Sequence, residues 1–478
     1  SGLVLQVLKM SENQFGWRRW PETERFIADR LAEQLADDSW LSSFDISLRK
    51  ITGTSLVNWL DHIYINGSRI SHETLRELGY KPRRGEDTLP GKRVYVHNAA
   101  YFPPFIVDPS AGFDAPVSQG LAIRVENIAS FLAANDKCCQ ILGYPLGPYR
   151  EAKLLIGPRI FNVVERRGYR GFETFPSNLA RSGWMTPQRA RTILEAKELW
   201  QTRRRNWSFD EEALGFEHAQ SRLVSMISMV GRDLACELVF DVERDYWQSR
   251  NQAARAQKIR QDRLGMGWAN HDHHTFRCSR RNFHKLIGVL EELGFELRER
   301  FHAGEQAGWG AQILEHPVTG IVVFADLDLK PDEIYVDFSH QSLDPLPIPN
   351  TVGLWVALHG ESFFQAGMHH LEAQFEFEAA EDGLLQDFQI KTMKPFSNFD
   401  FLRQAFTQGE VWHVDQNRLN HVLEMGWISP SDYEKFATHG AIGSHLEILQ
   451  RREGFKGFNQ QAVSAILGDV DPRKIVIG

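Results

Sequence analysis

The sequence predicts an α+β protein, and three observations carry that reading. Two segments with a β-α-β-β order each open on a histidine-bearing strand, at His62 and again at His273. A block over 186–262 reads as helical between them, with a new helix opening at Ser208, and the stretches over 11–48 and 396–478 read as helical ends. The expected organisation is therefore a helical segment 1–55, a first module with an extension 56–170, a helical insertion 171–267, a second module 268–395 and a helical segment 396–478.

In the N-terminal helix Phe26, Ile27, Leu31 and Leu35 recur at helical spacing. The first module opens with a strand over 57–65, rich in β-branched and aromatic residues. Ser68 or Ser71 caps a helix running through Leu75 and Leu78 to Gly79, and a strand over 92–100 ends before Pro103 and Pro104. Strands are expected over 122–125 and 154–164, with a helix over 125–142 that carries Cys138 and Cys139. In the insertion Thr186-Pro187 is an N-cap with proline in the first turn, and Ser208 with Glu211 forms a capping-box pattern. The second module repeats the order. A strand over 269–277 precedes a helix over 282–293 with Phe283, Leu286, Ile287, Leu290 and Leu293 on one face and Gly294 at its end. Strands over 295–302, 310–315 and 320–329 follow, then strand readings for 353–359 and 368–379 and a short helix over 431–438.

Composition bounds the function. Of 478 residues 42% are hydrophobic and 24% charged, as in soluble globular proteins. A net charge of -8 offers no basic field for nucleic acid or an anionic membrane. Four cysteines without a Cys-x-x-Cys pair argue against a disulfide framework or a thiolate zinc site. No apolar run reaches the ~18 residues of a membrane span, and the N-terminus lacks a basic-then-apolar leader pattern. The expected location is cytoplasmic.

The densest chemistry lies in 269–277. On a strand His271, His273, Thr275 and Arg277 share one face, and Asp272, His274 and Phe276 the other. Imidazole is the commonest nitrogen ligand for transition metals; the alternative is a histidine-rich surface loop. In 368–379, Glu372, Gln374, Glu376 and Glu378 would share a face. Burying such a row is costly unless a cation compensates, and the alternative is a solvated face. The run Arg203, Arg204 and Arg205 reads as a solvated helix end.

Taken in order, these segments resemble the vicinal oxygen chelate superfamily, built from paired β-α-β-β-β modules around one metal. More closely they resemble the 2-oxoadipate dioxygenase/decarboxylase (hydroxyglutarate synthase) family. The matching stretches are His62-Ile63-Tyr64-Ile65-Asn66, Val96-His97-Asn98-Ala99-Ala100-Tyr101-Phe102-Pro103, His273-His274-Thr275-Phe276-Arg277, His370 to Glu378, and Gly426-Trp427-Ile428. The resemblance implies metal ligands His62, His273 and Glu376, with Glu378 and Glu361 as alternative carboxylates. It implies Arg277 as the partner of a substrate carboxylate, and His97, His274 and His370 as hydrogen-bond partners of the ligands. Asn66 and Phe102 stand at substrate positions where the family has arginines, and Arg69 is a possible substitute. That points to a less acidic, more aromatic substrate than 2-oxoadipate. The implied activity is an Fe(II)-dependent, non-haem dioxygenase/decarboxylase that couples decarboxylation of a 2-oxo acid, with O2, to hydroxylation of the same molecule. The alternatives are a redox-inert isomerase or lyase using Zn, Ni or Mn, and a non-catalytic protein that binds a small ligand.

Overall fold

The computed structural model describes residues 16–85, 89–112, 115–156, 159–175, 186–303, 308–459, 462 and 470–473. Met185 and the first fifteen residues, part of the expected insertion and N-terminal segment, lie outside them.

The chain begins with helices α1 (Pro21–Asp37) and α2 (Ser39–Ser47) and enters a first sheet at β1 (Leu60–Asn66). Then follow α3 (His72–Glu77), β2 (Lys81–Pro82), β3 (Arg93–Val96) and β4 (Phe105–Asp108). A second run of the same order comes next: β5 (Gln119–Arg124), α4 (Ile128–Ala134), β6 (Ile141–Leu142), β7 (Tyr149–Ile156) and β8 (Arg159–Arg166). The strand order is β2-β3-β4-β1-β5-β8-β7-β6, with β1 parallel to β4, β5 parallel to β8, and β1 antiparallel to β5. The expected single module over 56–170 is thus two β-α-β-β-β modules joined edge to edge. The helix expected over 125–142 ends at Ala134, before the two cysteines.

Four helices follow: α5 (Pro187–Gln201), α6 (Glu212–Val230), α7 (Arg232–Ser249) and α8 (Gln252–Asp262). The second sheet then repeats the first. One module is β9 (His271–Arg277), α9 (Phe283–Glu292), β10 (Glu296–His302), β11 (Trp309–Glu315) and β12 (Val322–Asp328). After α10 (Thr351–His359), the other starts with β13 (His370–Gln374), α11 (Phe377–Phe388), β14 (Ser397–Phe399) and β15 (Leu402–Phe406). It continues through β16 (Glu410–Trp412), α12 (Gln416–Glu424) and α13 (Pro430–His439) to β17 (Ala441–Arg451). The order β10-β11-β12-β9-β13-β17-β15-β14 has the same parallel and antiparallel pattern as the first sheet.

Two expectations are corrected here. Residues 396–478, read as helical, contribute β14 to β17 and complete the fourth module. Residues 353–359, read as a strand, lie in α10, which is buried at every position but Gly353; a nearly all-apolar run has no period to separate strand from buried helix.

Each sheet has one face against helices. Ile63, Ile65, Leu121, Ile123, Phe161 and Val163 pack on Ile27, Leu41, Phe44 and Phe131. In the second sheet Phe276, Leu371, Ala373, Leu446 and Ile448 join Val239, Phe240 and Trp247 of the inserted helices in one core. Strand alternation sends the intervening residues to the other, inner face. The insertion is therefore the backing of the second sheet.

Gly53 sits where α2's chain turns toward β1. Its φ is +72°, and its carbonyl accepts the backbone N–H of Glu376 at 2.8 Å. A Cβ there would lie 2.5 Å from the Ala380 Cα on α11, which is backbone and has no rotamer to yield. Gly53→Ala is expected to lower unfolding stability by about 2–3 kcal/mol, from left-handed strain plus overpacking. Urea unfolding with an unchanged slope is the check.

Candidate metal centre

Parallel pairing of β13 and β17 aligns two copies of one tripeptide, His370-Leu371-Glu372 and His445-Leu446-Glu447, residue for residue. The leucines enter the helical core, and the histidines and glutamates face inward. Antiparallel pairing with β9 sets Glu372 opposite His273 and His370 opposite Thr275. Two rows result across three strands: His273–Glu372–Glu447 and Thr275–His370–His445. All six side chains are buried.

Three of them converge. The Glu447 Oε2 atom lies 3.0 Å from His370 Nε2 and 4.0 Å from His273 Nε2. Ligand atoms of His273, His370 and Glu447 all lie within 4.8 Å of one another. The second nitrogen of each imidazole is engaged elsewhere. His273 Nδ1 is 3.1 Å from Glu372 Oε1, and His370 Nδ1 is 2.9 Å from His369 Nδ1. If each Nδ1 carries the proton, both Nε2 lone pairs face the Glu447 oxygen, which is the tautomer a metal ligand needs. Thr275 Oγ, 2.8 Å from His370 Nε2, shares that position. Gln404 Nε2 donates to Glu372 at 2.9 Å and to Glu447 at 3.2 Å, and Arg451 donates to Asp272 at 3.0 Å.

The electrostatics describe a site short of positive charge. Burial and the neighbouring Glu372 push the Glu447 carboxyl well above its ordinary range. Burial would lower His273, but the Glu372 and Asp272 charges outweigh it and raise it to about 9. Burial holds His370 well below its ordinary value and His445 down to about 3, with Arg277 adding to both. Two carboxylates buried side by side, one of them matched only by a histidine proton, are what a divalent cation can stabilise in place of protons. The residues fit a metal. Two other histidine-containing groups are compact enough: His369–His370–His445 and Asp272–His273–Glu372. The first has no carboxylate and lies near the Arg277 charge; the second is already matched by Arg451.

A small cavity opens beside the three ligands, walled by Trp309, Phe324, Phe396, Phe406 and Phe458 and floored by Arg277. Arg277 is only 2% exposed, and its Nε and Nη2 have no hydrogen-bond partner among the described residues. Burial lowers it to about 10 against the raising effect of Asp326, so it remains a cation.

The other expected site residues lie apart. Groups of potential ligands with atoms within 4.8 Å include His273 but neither His62 nor Glu376. His62, on the first sheet, has Nδ1 2.6 Å from Asp61, which Arg166 grips with two hydrogen bonds of 2.6 and 2.8 Å. Glu376 precedes α11, because β13 ends at Gln374. It accepts from Ser55 Oγ and from Arg452, each at 2.7 Å. Of the alternative carboxylates, Glu378 is exposed and pairs with Arg403, and buried Glu361 binds Ser279 and the Asn282 side chain at the start of α9.

Asn66 caps a turn, accepting from Ser68 N at 2.9 Å and donating to Gly112 O at 2.8 Å. His97 packs among Trp20, Tyr80 and Phe102 in the first unit. His274 faces the helices, 3.2 Å from Arg244. His370, expected to support a ligand, belongs instead to the group whose atoms could themselves hold a metal. Glu372, Glu447 and His445 were not singled out as a set, although the repeated His-Leu-Glu tripeptide was a readable signal.

Metal content separates the two ligand sets. His273→Ala, His370→Ala and Glu447→Ala are each expected to lose bound metal in elemental analysis, while His62→Ala and Glu376→Ala keep the wild-type ratio. Glu372→Gln is expected to weaken metal binding about 10–100-fold, by removing the carboxylate charge 3.1 Å from His273.

No protein-family model and no curated protein sequence matches the chain. Among solved structures it is similar to a protein provisionally described as of the glyoxalase superfamily from Ralstonia eutropha JMP134, at 11% identity, over 56% of this chain and 97% of that one, with a TM-score of 0.33. It is similar to a provisionally described hydrolase from Shewanella frigidimarina NCIMB 400, at 15% identity over 45% and 92%, TM-score 0.31. It is also similar to methylmalonyl-CoA epimerase from Mycobacterium tuberculosis, at 10% identity over 38% and 88%, TM-score 0.22. The fold assignment rests on the strand order of the two sheets rather than on likenesses of this size.

Proposed function

We propose that the protein is a metal-dependent oxygenase that decarboxylates a 2-oxo acid and hydroxylates the same molecule, with His273, His370 and Glu447 holding Fe(II). The observation that supports this reading is the two-histidine, one-carboxylate set on adjacent strands, beside a buried arginine whose Nε and Nη2 have no hydrogen-bond partner among the described residues. Such a set would leave coordination positions free on a bound Fe(II), which would supply redox chemistry toward O2 and a chelating 2-oxo acid. The protein's own groups do the rest. Arg277 receives a substrate carboxylate in a charge-assisted pair. Glu372 beside His273, and His369 beside His370, would orient the two imidazoles once a metal replaces the proton on His273. The aromatic wall excludes bulk water and accommodates an apolar substrate tail.

One guanidinium and an aromatic wall suit one carboxylate better than two. A second carboxylate in this cavity faces Asp326 and aromatic rings, at a cost of several kcal/mol. A mono-carboxylate 2-oxo acid with an apolar or aromatic tail is therefore expected to outcompete 2-oxoadipate.

A second reading, a redox-inert isomerase or lyase, draws on Glu372, which offers a further carboxylate next to His273. Gas dependence decides between them. The Fe(II)-loaded wild type is expected to consume O2 in step with 2-oxo acid and to release CO2. Undiminished turnover under nitrogen overturns the oxygenase and supports the Lewis-acid reading. Arg277→Met is expected to lower kcat/KM about 10–100-fold, the loss of one charge-assisted pair, with metal content unchanged.

A further inference from the structure

The cavity beside the candidate metal centre holds a charge pair that does not close. Arg277 on β9 and Asp326 on β12 both line it, and the parallel pairing of those strands sets the two residues opposite each other. Both are buried, and each feels the other's charge. Yet among the described residues no hydrogen bond and no direct ion pair joins them. The Arg277 guanidinium lies 5.5 Å from the centre of the Trp355 ring, and its Nε and Nη2 have no hydrogen-bond partner among the described residues. The Asp326 carboxyl accepts no hydrogen bond among them either. Burial pushes it up to about 7 against the Arg277 and His273 charges.

The other carboxyl groups near Arg277 are engaged. Asp328 accepts from the backbone N–H of Asn350 at 2.7 Å and of Val352 at 3.2 Å, and Asp471 pairs with Arg473 at 2.7 Å. Glu447, also on the cavity wall, belongs to the candidate metal centre. Asp326 is left with unused acceptor atoms, as Arg277 is with unused donors. Each such buried group costs free energy while it lacks a partner, and direct contact would have relieved both. The fold instead holds them apart across a space of about 50 Å³. That is room for about three to five water-sized groups, the size of a small ligand head group.

One head group satisfies both residues if it brings an acceptor to Arg277 and a donor to Asp326. A carboxylate meets the first need. A hydroxyl meets the second without adding charge, whereas an ammonium would bury a second cation beside Arg277. In either protonation state Asp326 keeps an oxygen that accepts from it.

We infer that Asp326 is a specificity-determining residue of this cavity, and that with Arg277 it selects an acid bearing a hydroxyl group close to its carboxylate. The carboxylate pairs with Arg277 and the hydroxyl donates to Asp326. The inference rests on the proposed function for the 2-oxo group and for the role of Arg277, and adds a hydroxyl to that substrate's head group.

Titration calorimetry on the metal-loaded full chain under nitrogen, where no O2 is consumed, tests it. The probes are butanoate, 2-hydroxybutanoate and 3-hydroxybutanoate, which share one charge and nearly one size. At least one hydroxy acid is expected to bind about tenfold more tightly than butanoate. Asp326→Leu is expected to erase that preference while keeping the metal and the affinity for butanoate. Should that variant not fold, the near-isosteric Asp326→Asn is expected to cut the preference at least about threefold, because a neutral amide is a weaker acceptor. A preference that survives unchanged places the hydroxyl on the metal or elsewhere and overturns the inference. So does an Asp326→Leu loss that is equal for all three acids, which would make Asp326 a partner of the carboxylate itself. Butanoate binding that is lost in Arg277→Met, with no gain from either hydroxyl in the wild type, overturns the inference and leaves the role of Arg277 standing. Binding of all three acids that ignores Arg277→Met, or no binding up to about 20 mM, overturns both. The oxygenase reading itself is decided separately, by O2 uptake.

Discussion

Two carboxylates, Glu372 and Glu447, are buried next to each other on the inner face of the second sheet, and much of the surrounding structure serves to make that tolerable. An ionised carboxylate loses several kcal/mol of hydration when buried, and a like charge beside it adds to the cost. Gln404 donates to both groups, His273 lies against one and His370 against the other, and Arg451 supplies a cation through Asp272. These partners leave Glu447 with a strong preference for its protonated form. A divalent cation removes that preference, which is why the donor set is read as a metal centre rather than a polar core network.

The arrangement depends on topology more than on any one residue. Aligning His370 with His445 and Glu372 with Glu447 requires β13 and β17 to run parallel, and parallel neighbours need a crossover. Helix α11, β14, β15 and the excursion through β16, α12 and α13 provide it. The four inserted helices cover the opposite face. A one-residue slip of β17 would carry His445 and Glu447 to those helices and bring leucines to the metal side.

The two units share a strand order but not a chemistry. In the first sheet the row through His62 continues to Ala122 and Asn162, so no carboxylate stands where the second sheet has Glu372 and Glu447. Phe172 packs edge-on against His62, and Arg166, stacked on Phe172 and Tyr149, holds Asp61. The first unit is thereby filled by aromatic rings and an ion pair, and its mouth becomes an arginine-lined cavity. Duplication of the scaffold has left one member with the ligand set and the other with a polar cleft.

The sequence by itself determined the α+β class, the repeated module order, the helical insertion, and the inward face of β9 with His273, Thr275 and Arg277. Those are local properties: periodicity, caps and alternation act over a few residues. Which strands become neighbours is not local. His62 and His273 open equivalent modules, yet they stand on different sheets, because each sheet completes its own pair of modules from the chain that follows it. Glu376 shares a parity with Glu372 on an unbroken strand, but β13 ends at Gln374, and the next turn of backbone starts a helix. Glu447 lies 75 positions beyond Glu372, and only the parallel pairing of β13 with β17 brings them together. The carboxylate beside His273 and His370 was therefore decided by tertiary pairing, because strand neighbours are selected by the burial of whole faces and not by the residues of the candidate metal centre.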